Sequence, residues 1–140
     1  MTDRNAKIIE EFRSNHGRVG GVFEGATMLL LHPTGRRIGE ERVNPLVYLP
    51  DGDRWVVFGS KGGAPADPDW VRNLEANREA TIEVGTETIP VRVAAVLRDG
   101  QEREELYARQ VERRPAFGGY VEKTKGIRTI PVVALERRDV

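Results

Sequence analysis

Lys61 stands directly before Gly62 and Gly63, just past a strand-like run, Trp55-Val56-Val57-Phe58, that Gly59 and Ser60 bring to an end. Two successive residues without Cβ let neighbouring amide N–H groups turn toward one anion, and the Lys61 ammonium adds a full charge to that nest. The chemistry this serves is binding of phosphate or carboxylate. The same Ser60 to Asp67 stretch also reads as a plain connection, since Gly, Pro and Ala are ordinary loop residues. It lacks the Gly-x-x-x-x-Gly-Lys-Ser/Thr spacing of a phosphate loop, and no Gly-x-Gly-x-x-Gly opens a helix after a strand. A second set of cations, Arg36, Arg37 and Arg42, crowds a turn upstream, where guanidinium groups either lie solvated or clamp an anion.

Other chemistries lack their residues. The chain has 2 histidines and 0 cysteines, with no His-Glu-x-x-His, so a metal centre is not expected. No Gly-x-Ser-x-Gly elbow supports a hydrolytic triad. An enzyme built on this chain would borrow its reactivity from an organic cofactor. With 22 basic against 22 acidic residues, no general excess of cations suits nucleic acid, and any anion site must be local. The first residues hold no apolar leader, and the longest apolar run, Met28 to Leu31, falls far short of the roughly 20 residues of a membrane span. A cytoplasmic location is the expectation.

The elements that must position these groups fit one domain of 140 residues. Ile8, Ile9 and Phe12 at helical spacing predict an amphipathic helix over Asp3 to Asn15, docked on the core or on a partner. With the Gly-rich lead-in it makes up residues 1–25, and a barrel domain follows over 26–140. Strands are predicted at Ala26 to Leu31, Val43 to Leu49 and Arg54 to Phe58, and the Pro50-Asp51-Gly52-Asp53 hairpin puts both basic clusters at one end of the sheet. Asp67-Pro68 reads as N-cap and first turn of a helix that carries Trp70, Val71, Asn73 and Leu74 and ends at Asn77. A hairpin over Ala80 to Leu97 places Ile89, Val91, Val93 and Ala95 on one face, with Pro90 implying an edge or a bulge. Asp99 and Glu102 predict a capping box for a helix to Arg113. A short irregular or helical stretch, Pro115 to Lys125, then offers Phe117 and Tyr120 before a closing strand over Arg128 to Glu136. The fold class is therefore mainly β with short helices, an antiparallel barrel whose closure removes exposed edges.

Taken together, Thr34-Gly35-Arg36-Arg37-Ile38-Gly39, Arg42-Val43-Asn44-Pro45-Leu46, Gly59-Ser60-Lys61-Gly62-Gly63-Ala64, Pro68-Asp69-Trp70, Asn73-Leu74-Glu75-Ala76-Asn77 and Arg128-Thr129-Ile130-Pro131 resemble the deazaflavin-dependent nitroreductase family. The resemblance covers nearly all of the chain after the first helix. It implies a split β-barrel, binding of coenzyme F420, and hydride transfer from reduced F420 to a quinone, a nitroaromatic or an unsaturated lactone. By the same analogy Arg36, Arg37, Arg42 and Lys61, with the amides of Gly62 and Gly63, hold the anionic tail, and Ile38 belongs to the cofactor-binding set. Val43, Asn44, Pro45, Leu46 and Val47, with Phe58, Gly59 and Ser60, line the deazaflavin, and Asp69, Trp70, Val71, Arg72 and Asn73 close the site. Ser60 and Tyr120 match family residues beside the ring and the substrate, and one of them orients the acceptor or supplies its proton.

Val47 and Phe117 stand where the nitroimidazole-activating member has tyrosines. Loss of those hydroxyls makes quinones or polycyclic lactones better expected acceptors than nitroimidazoles. Rival readings are an FMN-binding barrel, disfavoured by the surplus of arginines, and a non-catalytic F420 carrier. The acceptor is a hydrophobic small molecule, with no nucleic acid and no transmembrane segment; peripheral contact with the inner membrane face and assembly as monomer or homodimer stay open.

Overall fold

The computed structural model describes residues 3–33 and 43–139, and the expectations for Arg36, Arg37, Ile38 and Arg42 lie outside the described residues. Six strands, β1 Met28–Pro33, β2 Asn44–Asp51, β3 Arg54–Phe58, β4 Glu79–Val84, β5 Glu87–Leu97 and β6 Val132–Arg137, close into a barrel in the order β1-β2-β3-β6-β5-β4. Every pairing is antiparallel. This is the split β-barrel architecture expected from the sequence.

Alternation sorts the side chains into an inside and an outside. Leu29 and Leu31, Val57, Ala80 and Ile82, Ile89 and Val91, and Val133 and Leu135 fill the barrel. One helix, α2 Asp69–Ala76, adds Trp70, Val71 and Leu74 to that same interior cluster and so plugs the barrel. Outside, Val56, Phe58, Val132 and Ala134 are covered by Leu106 and Tyr107 of α3 Gln101–Arg113 and Phe117 of α4 Ala116–Thr124. The first helix, α1 Asp3–Ser14, lays Ile9 and Phe12 on Met28 and Leu30. Its apolar stripe is docked on the barrel.

Four local expectations fail for identifiable reasons. A bulge between Val93 and Ala95 inserts one residue, and this reverses the parity of β5. Val96 therefore faces inward, while Ala95 pairs with the outward Ala134. Pro90 is not on an edge strand, because β5 lies between β4 and β6; it sits just beyond the last β6 pair, Val91 with Arg137. Asp99 does not cap α3, whose N-cap is Gly100 with φ 93°, and Glu102 reaches Arg54 instead at 3.4 Å. Likewise Pro68, not Asp67, is the N-cap of α2, because two arginines hold the Asp67 carboxylate.

The closing strand begins at Val132, four residues later than the sequence suggests. In place of a strand start, Arg128 turns its guanidinium into the neighbouring loop.

Tyr107 ties α3 to α4, its hydroxyl donating to the Phe117 carbonyl at 2.7 Å. Burial pushes its phenol up to about 12. Because the folded state favours the protonated form, this stabilisation is complete below pH 10, the ordinary phenol value, and is lost as pH rises toward 12. Tyr107→Phe is expected to cost about 1 kcal/mol at neutral pH. Urea melts of wild type and variant should converge as pH climbs through that window.

Candidate active site

The opening in the barrel comes from β2. Its first half, Asn44–Val47, pairs with β1, whereas Tyr48–Asp51 pairs with β3. Beside Asn44–Val47 there is no β3 register, and a cleft of about 820 Å³ lies between this half-strand and the chain leaving β3. Pro45, Leu46 and Val47 form one wall, and Phe58, Ser60, Lys61 and Gly62 the other. From α2 come Trp70, Asn73 and Asp69, and from α4 Ala116, Phe117 and Tyr120.

Two nearly buried polar side chains in this cleft make no hydrogen bond among the described residues. The Ser60 hydroxyl makes no hydrogen bond among the described residues although the residue is 8% exposed, and the Asn73 carboxamide, at 5%, makes none either. The polar atoms of neither side chain are sealed from solvent, so both are open to a ligand in the cleft. Tyr120 packs its ring on Phe117 at 5.0 Å and leaves its hydroxyl without a hydrogen bond among the described residues. The aromatic series Phe58, Tyr107, Phe117 and Tyr120 continues edge to face behind it, which fixes the ring rather than the hydroxyl.

The cationic loop is a 3-10 turn over Lys61–Gly63 with Lys61 at φ 45° and Gly62 at φ 64°. Positive φ at a non-glycine residue is the kind of strain that collects at functional sites. Only part of the expected nest is available. The Gly63 N–H donates to Ser60 O at 2.8 Å, and a Cβ at Gly63 would stand 2.7 Å from Lys123 Cδ. Gly63 thus turns toward α4, and the amides of Lys61 and Gly62 are the ones left for an anion.

Arg128 holds the loop in this form. Its Nε donates to Ala64 O at 2.9 Å, Nη1 to Gly59 O at 3.0 Å and Asp67 Oδ1 at 2.8 Å, and Nη2 to Ser60 O at 3.0 Å. Asp67 also accepts from Arg98 at 3.0 Å, and Arg98 pairs with Glu75 of α2. One network therefore joins the strand end, the loop and the helix.

The remaining expected residues lie apart from the cleft wall. Val43 packs with the α1 cluster, and Val71 is buried in the barrel. Gly59 sits behind the wall, where a Cβ would be 2.7 Å from Pro131 Cγ and 2.9 Å from Val71 Cγ2. Arg72 is exposed and borders a separate hollow with Arg98 and Arg128. Sequence reasoning missed Val22, Phe23 and Arg114, which also line the cleft, and the anchoring by Arg128. No periodicity marks Arg128; its place three residues before Pro131, in a segment that carries the family resemblance, is the one available signal.

Among the described residues, no helix is long and apolar enough to cross a membrane, and no three metal-ligating side chains cluster.

Comparison with known proteins gives a consistent family. A family model described as F420H(2)-dependent quinone reductase matches residues 5–137. The F420H(2)-dependent quinone reductase Rv1261c of Mycobacterium tuberculosis is 37% identical over 131 residues, spanning 91% of this chain and 85% of that protein. A solved F420-H2 dependent reductase, FDR-A, superposes with a TM-score of 0.69 at 32% identity, covering 79% of this chain and 94% of that one. Another solved structure, described as a domain-swapped dimer, has a TM-score of 0.70 at 29% identity and covers 95% of each chain.

Proposed function

The chain belongs to the F420H(2)-dependent quinone reductase family, and from that premise we propose that its cleft binds reduced F420 beside a quinone and passes a hydride between them. The observation that carries this reading is the cleft itself. It combines apolar walls, a Ser60 hydroxyl and an Asn73 carboxamide without partners among the described residues, and a cationic loop at its edge. These groups suit a flat polar ring system with an anionic tail. The volume lies within the roughly 300–1,000 Å³ of ordinary ligand sites.

In this reading Lys61 and the amides of Lys61 and Gly62 take the tail, joined by Arg36, Arg37 and Arg42, while Pro45, Leu46 and Trp70 flank the ring. When bound, reduced F420 supplies the hydride, and a quinone that gains this hydride and one proton leaves as the quinol. The protein's part is to stack the two rings, to exclude water with Trp70 and Phe117, and to present a hydroxyl to the acceptor oxygen. Tyr120 and Ser60 are the groups for that task. Tyr120→Phe is expected to lower kcat by about 10²-fold with little change in cofactor affinity, as removal of a general acid does. Unchanged turnover in that variant would take Tyr120 out of the role and leave it to Ser60. Val47 and Phe117 offer no hydroxyl, so quinones and flat lactones should be reduced faster than nitroimidazoles.

The direct test mixes the protein with reduced F420 and a naphthoquinone and follows recovery of the oxidised deazaflavin absorbance. Acceptor-dependent reoxidation is the expected result. Tight F420 binding with no turnover on any acceptor would indicate a carrier, and binding of FMN alone would overturn the proposal.

A further inference from the structure

The segment ahead of β1 reaches the cleft. Val22 and Phe23, in the 3-10 turn Gly21–Phe23, both line it. Among the described residues the exposed large apolar side chains are Val22 at 72%, Ile127 at 60% and Val121 at 39%, and of these Val22 alone borders the cleft. A single exposed apolar residue elsewhere on a surface is ordinary. At the rim of a ligand site it is surface that a bound molecule can cover.

The turn is tied on two sides. Toward α1, the Gly20 N–H donates to Glu11 Oε2 at 2.6 Å, and Phe23 packs on the cluster of Ile9 and Phe12. Toward α4 the tie is Arg114, whose Nη2 donates to Val22 O at 2.8 Å. The Arg114 carbonyl in turn accepts from the Phe117 N–H at 3.0 Å, at the start of the helix that carries Phe117 and Tyr120. One residue therefore joins the Val22 main chain to the α4 side of the cleft. Gly21, at φ 63°, and Gly25, at φ 79°, flank the turn, and neither has an atom within 4 Å of its Cβ position. Packing at these glycines does not place Val22, so its placement rests on the two ties.

We propose that Val22 and Phe23 form the outer wall of the acceptor site, covering an apolar substituent on the quinone ring, and that Arg114 is the positioning residue that holds this wall to α4. The inference rests on the quinone-reductase reading, which gives the α4 side of the cleft to the acceptor. The substituent is apolar because both side chains offer only carbon, and Val22 gains from contact by leaving water. Arg114 acts through the Val22 carbonyl and sets where that side chain stands.

The test compares 2-butyl-1,4-naphthoquinone with 1,4-naphthoquinone, using reduced F420 and the full chain. Wild type is expected to favour the butyl compound by about tenfold in kcat/KM, mostly through KM, the size of burying part of an alkyl chain. Val22→Ser, at an exposed position, should cut that preference to about threefold. Arg114→Met keeps the stem but donates nothing, and should cut it equally; Arg114→Lys, which still offers a donor to the carbonyl, should keep most of it. Because both residues act through one wall, the double variant should lose no more than either single one, whereas independent effects would multiply. No preference in wild type, or a preference left intact by Val22→Ser, would overturn the wall, and multiplying effects would take Arg114 out of its positioning role. Quenching of tryptophan fluorescence, with Trp70 in the cleft lining, reads quinone binding without turnover. If no quinone is reduced but the butyl compound still binds about tenfold tighter, and Val22→Ser removes most of that difference, the wall stands while the catalytic reading falls.

Discussion

Arg128→Ala is expected to lower the unfolding free energy by about 3 kcal/mol and to weaken F420 binding on the order of tenfold or more. The side chain is 11% exposed and makes four hydrogen bonds, three of them to loop carbonyls. Removing it strands Gly59, Ser60 and Ala64 carbonyl oxygens in a setting where water must enter to satisfy them. The Asp67 carboxylate keeps Arg98, so the loss is smaller than for a wholly orphaned buried charge. Arg128→Lys separates charge from geometry. A lysine restores the positive charge but cannot span acceptors arranged around a planar fork, so it should recover less than half of the lost stability. Denaturant unfolding and fluorescence titration with F420 read the two effects separately. Full recovery by lysine would mean that the network matters only as charge, and unchanged cofactor affinity in the alanine variant would mean that the Lys61 loop holds its form alone.

The second large effect is expected from Gly59→Ala, which adds one methyl where there is no room for it. The new Cβ would meet the Pro131 ring at 2.7 Å and Val71 at 2.9 Å. Neither neighbour can give way cheaply. Val71 is 0% exposed inside the plugged barrel, and Pro131 O accepts the Gly59 N–H at 2.9 Å. Overpacking of this kind costs about 1–3 kcal/mol. Because the strain falls where β3 hands over to the Lys61 loop, cofactor binding should suffer along with stability. Gly119→Ala is the matched control: no atom lies within 4 Å of its Cβ position, and α4 gains up to about 1 kcal/mol of helix propensity. Thermal melts of the two variants should move in opposite directions. A Gly59→Ala protein as stable as wild type would show that the Pro131 and Val71 contacts relax.

The strand runs, the hairpins and the helix stripes were legible because each depends on local periodicity, and local periodicity is written in the order of the residues. Trp55 to Phe58 alternates in and out of the barrel as its sequence reads, and Ile9 and Phe12 lie on one helix face for the same reason. The Lys61 loop and the helix behind it were likewise readable, since glycine, proline and lysine restrict a turn by their own chemistry.

What escaped the sequence were the outcomes of competition between distant groups. Asp67 looks like a helix cap until two arginines, 31 and 61 residues away, are brought within 3.0 Å of it. Ala95 belongs with Val93 until a bulge shifts the register against β6. Gly63 reads as half of an anion nest until α4 places Lys123 against it. The buried amide of Gln110, without a hydrogen-bond partner among the described residues, has no local mark at all, because burial is a property of what packs over a residue. The sequence by itself determined which segments would be strands, helices and turns, through steric preference and periodicity. Tertiary structure alone decided which polar groups find partners and which remain open to a ligand, because that depends on distances set by barrel closure.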